Sequence, residues 1–152
     1  MKRKGIHSLL SEESGGSLVE MALSLPLLLL VLFGAVDFGR AYYLAMEVAG
    51  AAHAGAEYGA QNPTDTAGMQ TAATSDAPDV PGLTVTTPSY GCECSDGTSF
   101  SASCVTTPAC TTNVVYRVTV AVSANYKPII PWTGIASSIK IVDSATMRSG
   151  GS

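Results

Sequence analysis

The sequence predicts an α+β protein: a long N-terminal α-helix, membrane-spanning in its first half, packed on a small antiparallel β-sheet with a disulfide-bonded loop. Three observations predict it. Met21 to Val36 contains no charged residue. An alanine-rich pattern then continues to Gln61 without a further proline after Pro26. From Tyr116 to Tyr126 the even positions are all apolar or aromatic, and the odd positions, Ala121 apart, are polar.

The helix is justified first. Leu18 to Phe38 supplies the roughly 20 residues that a membrane-spanning helix needs. A bilayer core satisfies no backbone polar group, so such a segment is helical. Pro26 removes one internal bond and predicts a kink or a loosened turn. A cleaved secretory signal is the competing reading, but Asp37-Phe38-Gly39-Arg40-Ala41-Tyr42-Tyr43 is a poor small-residue cleavage site. Ala41 to Ala60 keeps a helical composition, and Asn62-Pro63 is a stop signal. One helix from Ser17 to Gln61 is therefore expected, about 65 Å long. Its outer half carries Ala45, Ala49, Ala52 and Ala56, with Gly55 and Gly59 four apart. Small residues let another backbone approach, either from a partner helix or from the chain's own domain. Lys2, Arg3 and Lys4 precede the span and Arg40 follows it, so the N-terminus is expected in the cytoplasm. Asp37 and Arg40, three apart, are expected to form a solvated pair.

The remainder leans towards β-structure. Thr66 to Ser75 reads as a short helix or a loop. Leu83-Thr84-Val85-Thr86 reads as a short strand, and Pro88 to Thr112 as loop with a turn at Ser95-Asp96-Gly97. Tyr116 to Tyr126 is the clearest strand, with one buried face formed by its even positions. Lys127-Pro128-Ile129-Ile130-Pro131-Trp132 is an apolar, proline-bounded connection, and Ser138 to Met147 gives a further strand. Three strands with one apolar face need a covering layer, for which the outer half of the long helix is the candidate.

Cys92, Cys94, Cys104 and Cys110 all fall in the expected exported part. An even number in an oxidising compartment implies two disulfides. A Cys92–Cys94 bridge closes too short a loop. Of the other pairings, the nested set Cys92–Cys110 with Cys94–Cys104 suits a loop folding back on itself. A zinc site is the competing reading, but the spacing matches no common zinc pattern. No Cys-x-x-Cys redox motif occurs.

Charge and motif content exclude several functions. Beyond residue 15 the chain has five basic and ten acidic residues, the wrong balance for phosphate contacts, so no nucleic-acid partner is expected. There is no phosphate-binding glycine loop, HExxH motif or nucleophile elbow. Asp65, Asp76, Asp79, Glu93 and Asp96 are scattered among loop residues and read as solubilising. No catalytic residue, metal or cofactor is expected.

Gly16-Ser17-Leu18-Val19-Glu20-Met21-Ala22-Leu23 with Pro26, then Phe33-Gly34-Ala35-Val36-Asp37-Phe38-Gly39-Arg40 and Ala49 to Ala56, resemble the TadE-like family of the tight-adherence (Tad) pilus system. These proteins are type IV pilin-like. Ser144-Ala145-Thr146-Met147-Arg148 is also similar to the family's ending. The chain departs from the family in carrying His53 and Glu57 where members often have arginines.

The resemblance implies a pilin-like minor pilin or pseudopilin. It implies a leader over residues 1–15, cut by a prepilin peptidase between Gly15 and Gly16, which makes Glu20 the fifth residue of the mature chain. Glu20 would then pair with a neighbouring subunit's N-terminal ammonium; its alternative is a solvated place among headgroups. The implied organisation is leader, a helix over residues 16–61 spanning the membrane at about 18–38, and an extracytoplasmic β-rich head over residues 62–152 with a cysteine loop at 92–110. The implied partners are other pilin-like subunits, the peptidase, the bacterial inner-membrane pilus assembly machinery and membrane lipid. Two other readings stand beside it: a membrane-anchored binding or adhesion module that does not polymerise, and a disulfide-active enzyme.

Overall fold

The computed structural model describes residues 14–105, 108–131 and 133–150. The expected leader lies outside the described residues as far as residue 13. The chain divides into two compact units, one ending at Phe38 and one beginning at Gly39.

Helix α1 runs Ser14–Gln61, with Pro26 inside it. It starts three residues before the expected Ser17 and ends at the expected Gln61. Its residues up to Phe38 make up the described part of the first unit, and their apolar side chains are exposed, Leu23 and Phe38 both at 75 %.

The second unit comprises α1 from Gly39 onward, helix α2 (Thr66–Asp76), and strands β1 (Thr84–Val85), β2 (Ser89–Cys94), β3 (Val114–Tyr126) and β4 (Ile139–Ser149). All pairings are antiparallel, and β3 is the centre of the sheet. β4 pairs along one side of β3, from Tyr116↔Ser149 to Tyr126↔Ile139. β2 and β1 share the other side in succession, β2 opposite residues 114–119 and β1 opposite 122–123.

The period-two pattern of β3 decides which face is buried. Val118, Val120, Val122, Ala124 and Tyr126 are all buried. The first three and Ala124 pack with Val48, Ala51, Ala52 and Ala56 of α1, Met69 and Ala73 of α2, and Ala145 of β4. The outer half of the helix thus covers the sheet, as expected. Its small residues set the spacing: a β-carbon on Gly55 would stand 3.0 Å from Val120 Cγ1 and 3.0 Å from the Met69 carbonyl oxygen. The Gly55 and Ala56 face is therefore used by the chain's own domain.

α2 settles the ambiguity between helix and loop at residue 66. Asp65 is its N-cap, accepting a hydrogen bond from the Gly68 amide at 2.9 Å. The Tyr58 hydroxyl of α1 donates to the other carboxylate oxygen at 2.8 Å, which joins the two helices.

One strand was not expected. β2 lies inside the stretch read as loop, because Ser89-Tyr90-Gly91-Cys92-Glu93-Cys94 has no hydrophobic alternation and places a carboxylate in its middle. It is a strand because β3 is long enough to template it. Asp37 also departs from expectation. It is only 6 % exposed, so its carboxylate is shielded from water instead of solvated.

Candidate functional site

The residues singled out at the N-terminus all lie on α1. Gly15, Gly16 and Glu20 fall within its first two turns. Gly16 and Glu20 are four apart, so they share one face of the helix. Glu20 is exposed, and its backbone carbonyl accepts a hydrogen bond from the Ser24 hydroxyl at 2.8 Å. From Leu18 to Phe38 the apolar side chains surround the helix on all sides, and Glu20 is the one carboxylate among the exposed residues of that run. α1 is long and apolar enough to cross a membrane, and its most apolar window is wholly unburied. Such a helix fits a single-pass membrane anchor. A carboxylate at its edge is unfavourable in lipid unless a cation or water meets it.

The cysteine loop is the second constellation. The structure joins Cys92 to Cys104 and Cys94 to Cys110. This corrects the nested expectation, and the reason lies in the chain's path. After Cys94 the chain turns at Asp96-Gly97, where Gly97 has φ 84° and Asp96 Oδ1 accepts from the Thr98 amide at 3.0 Å. It then runs back along β2. The Cys94 amide donates to the Thr98 carbonyl at 3.1 Å, and Cys92 and Ser101 exchange backbone bonds of 2.8 and 2.7 Å. The returning strand thus passes Cys94 first and Cys92 second, which brings Cys104 to Cys92. The chain must then come back to begin β3 at Val114, opposite Cys94. The Ser95 amide meets the Asn113 carbonyl there at 2.8 Å, and Cys110 lies on that second return. The two bridges therefore interlace.

Glu93 stands between these cysteines, on the opposite face of β2. It is 2 % exposed, which corrects its reading as a solubilising loop acid. Arg148 of β4 donates its Nε–H to Glu93 Oε1, and Arg117 Nη1 of β3 lies 3.5 Å from Oε2. The Arg117 guanidinium also sits over the Phe100 ring, 5.4 Å from its centroid. A carboxylate clasped by two guanidiniums ties the base of the loop to β3 and, across it, to β4. The register makes this possible by setting Arg117 directly opposite Arg148. Two arginines at odd-to-even facing positions of successive strands, with an acid between two cysteines, are the only sequence signal of it.

The structure brings the four cysteines and Glu93 together in the second unit, while Gly15, Gly16 and Glu20 belong to the first.

No curated protein and no solved structure matches the chain. Among protein families, the model described as TadE-like protein matches residues 15–57. The matched segment begins at the Gly15-Gly16 junction and takes in Glu20, the apolar run and most of the part of α1 that packs on the sheet. The family resemblance carried by those same residues is thus met by a family-model match, and residues 15–57 are similar to the TadE-like family.

Proposed function

We propose that this protein is a structural, pilin-like subunit of a Tad-type pilus system, without catalytic activity of its own. The observation that carries the reading is the TadE-like match over the segment where an exposed apolar helix holds one carboxylate near its start. In this reading the apolar part of α1 anchors the chain in the bacterial inner membrane, N-terminus in the cytoplasm, as the basic cluster Lys2-Arg3-Lys4 favours. A prepilin peptidase removes residues 1–15. The new amine at Gly16 and the Glu20 carboxylate then sit on one helix face, four residues apart. Crossed pairing between two subunits, the amine of one with Glu20 of the next, neutralises both charges in an apolar setting and fixes the axial step of assembly. The head over residues 62–152 is displayed outside the membrane, where its two disulfides are stable.

Intact-mass measurement of the membrane-extracted protein tests the processing. A chain beginning at Gly16 supports it, and cleavage C-terminal to Phe38 overturns it. Assembly is tested by Glu20→Ala and Glu20→Gln. Both are expected to leave membrane insertion intact and to abolish co-assembly with other pilin-like subunits. Undiminished co-assembly would instead favour a membrane-anchored binding module that does not polymerise.

A further inference from the structure

The five basic residues beyond residue 15 separate by place in the fold. Arg117 and Arg148 are at the Glu93 end of the sheet. Arg40, Lys127 and Lys140 gather at the other end, where β3 finishes. The Arg40 guanidinium lies over the Tyr126 ring, 5.8 Å from its centroid. Lys127 follows Tyr126 directly, and Lys140 stands opposite Asn125 in the β3–β4 register. Both lysines are exposed. The connection from β3 to β4 starts and finishes at this same end, and it exposes Ile129 at 57 % and Ile135 at 52 %. The acids nearest in sequence are the buried Asp37, three residues before Arg40 on α1, and Asp143, three residues after Lys140 on β4.

We propose that this end of the second unit docks on the headgroup layer of a bilayer rich in anionic lipid. Ten acids against five bases make the chain beyond residue 15 acidic, so two exposed lysines brought to one end are a departure from its background. Lysines interspersed with exposed isoleucines combine the two forces that hold a protein surface at an interface: apolar side chains in the acyl boundary and cations among phosphates. The place in the chain agrees, because the apolar run of α1 ends at Phe38, two residues before Arg40. The proposal rests on the membrane-anchored reading and adds to it a second, lipid-selective contact made by the head.

Hydrogen exchange of the full chain in nanodiscs tests it. One sample uses phosphatidylcholine alone and another includes about a third phosphatidylglycerol. Amides in residues 127–140 should exchange several-fold more slowly with phosphatidylglycerol present. Each lysine is expected to contribute about a fivefold bias towards the docked state. The double variant Lys127→Ser/Lys140→Ser should therefore lose the difference between lipids, as should wild type at about 0.5 M salt. Disulfide mapping checks that the variant keeps its fold. Equal exchange in the two lipids overturns the proposal, as does a lipid difference that survives in the double variant. Protection seen with two chains per nanodisc and not with one assigns the surface to a second copy, and overturns it equally. Failure of the membrane anchor is a separate result, because the chain would not then co-purify with the discs.

Discussion

Glu93 is placed opposite Val115 on β2, yet its carboxylate reaches Arg117 on the next strand and Arg148 on the one beyond. Burying a carboxylate is unfavourable unless its oxygens are satisfied, and both are engaged here. The two guanidiniums are partly exposed, with side-chain exposures of 40 % and 53 %, so water can take over from Glu93 on their side. Glu93→Ala is therefore expected to lower stability by about 1–3 kcal/mol, less than the loss of one partner from a fully buried pair. A shift of the urea midpoint in detergent measures it. Asp65 acts through pH instead. The Gly68 amide first, and the Tyr58 hydroxyl second, hold its carboxyl below the ordinary carboxylate range. The folded chain therefore binds this proton less readily than the unfolded one. The contribution is full above the ordinary value of 3.8 and is lost as pH falls through the lower folded value. Thermal unfolding compared at about pH 5 and about pH 2.5 should show a smaller acid loss for Asp65→Asn than for wild type.

At the scale of elements, two features set the second unit's geometry. The first is the close approach of α1 to the sheet. Gly55→Val would force two methyls into space already held by Val120 and Ala73, and is expected to destabilise by about 1–3 kcal/mol. Gly39, in the same helix, has nothing within 4 Å of a β-carbon. Gly39→Ala should then stabilise by about 0.5–1 kcal/mol, through helix propensity alone. Thermal unfolding of the two variants, compared with wild type, separates packing from propensity. The second feature is the interlaced loop. A non-reducing digest should link Cys92 to Cys104 and Cys94 to Cys110. The bridges span 12 and 16 residues, and paired serine substitution at either is expected to cost about 3 kcal/mol by chain entropy.

At the scale of the whole molecule, the two units differ in what they bury. The second buries a core of alanine, valine and methionine side chains between helices and sheet. The described part of the first buries no apolar side chain. Its leucines gain nothing in water and are stabilised in lipid or against other apolar helices. Leu28→Arg, near the middle of the run, should disfavour insertion by about 2.5–3.5 kcal/mol. A smaller share of the chain retained in the membrane after alkaline extraction would register it.

The sequence by itself determined what is local. A run without charge, a proline stop and strict alternation specify helix α1 and strand β3, because 3.6-residue and two-residue periods are properties of the backbone alone. The Gly15–Glu20 junction was legible for the same reason: a carboxylate at the edge of an apolar run is conspicuous in one dimension. Only the tertiary structure decided what depends on the chain's path. The pairing of the cysteines follows from a chain that doubles back from Gly97 to Ser101, and no spacing rule contains that reversal. Strand β2 exists because β3 extends far enough to template it, although its own residues carry no alternation. Glu93 reads as a solvated loop acid until register brings Arg117 and Arg148 beside it. Contacts between residues 24 and 55 positions apart in sequence are set by the fold, since nothing local distinguishes a carboxylate that will meet water from one that will meet two arginines.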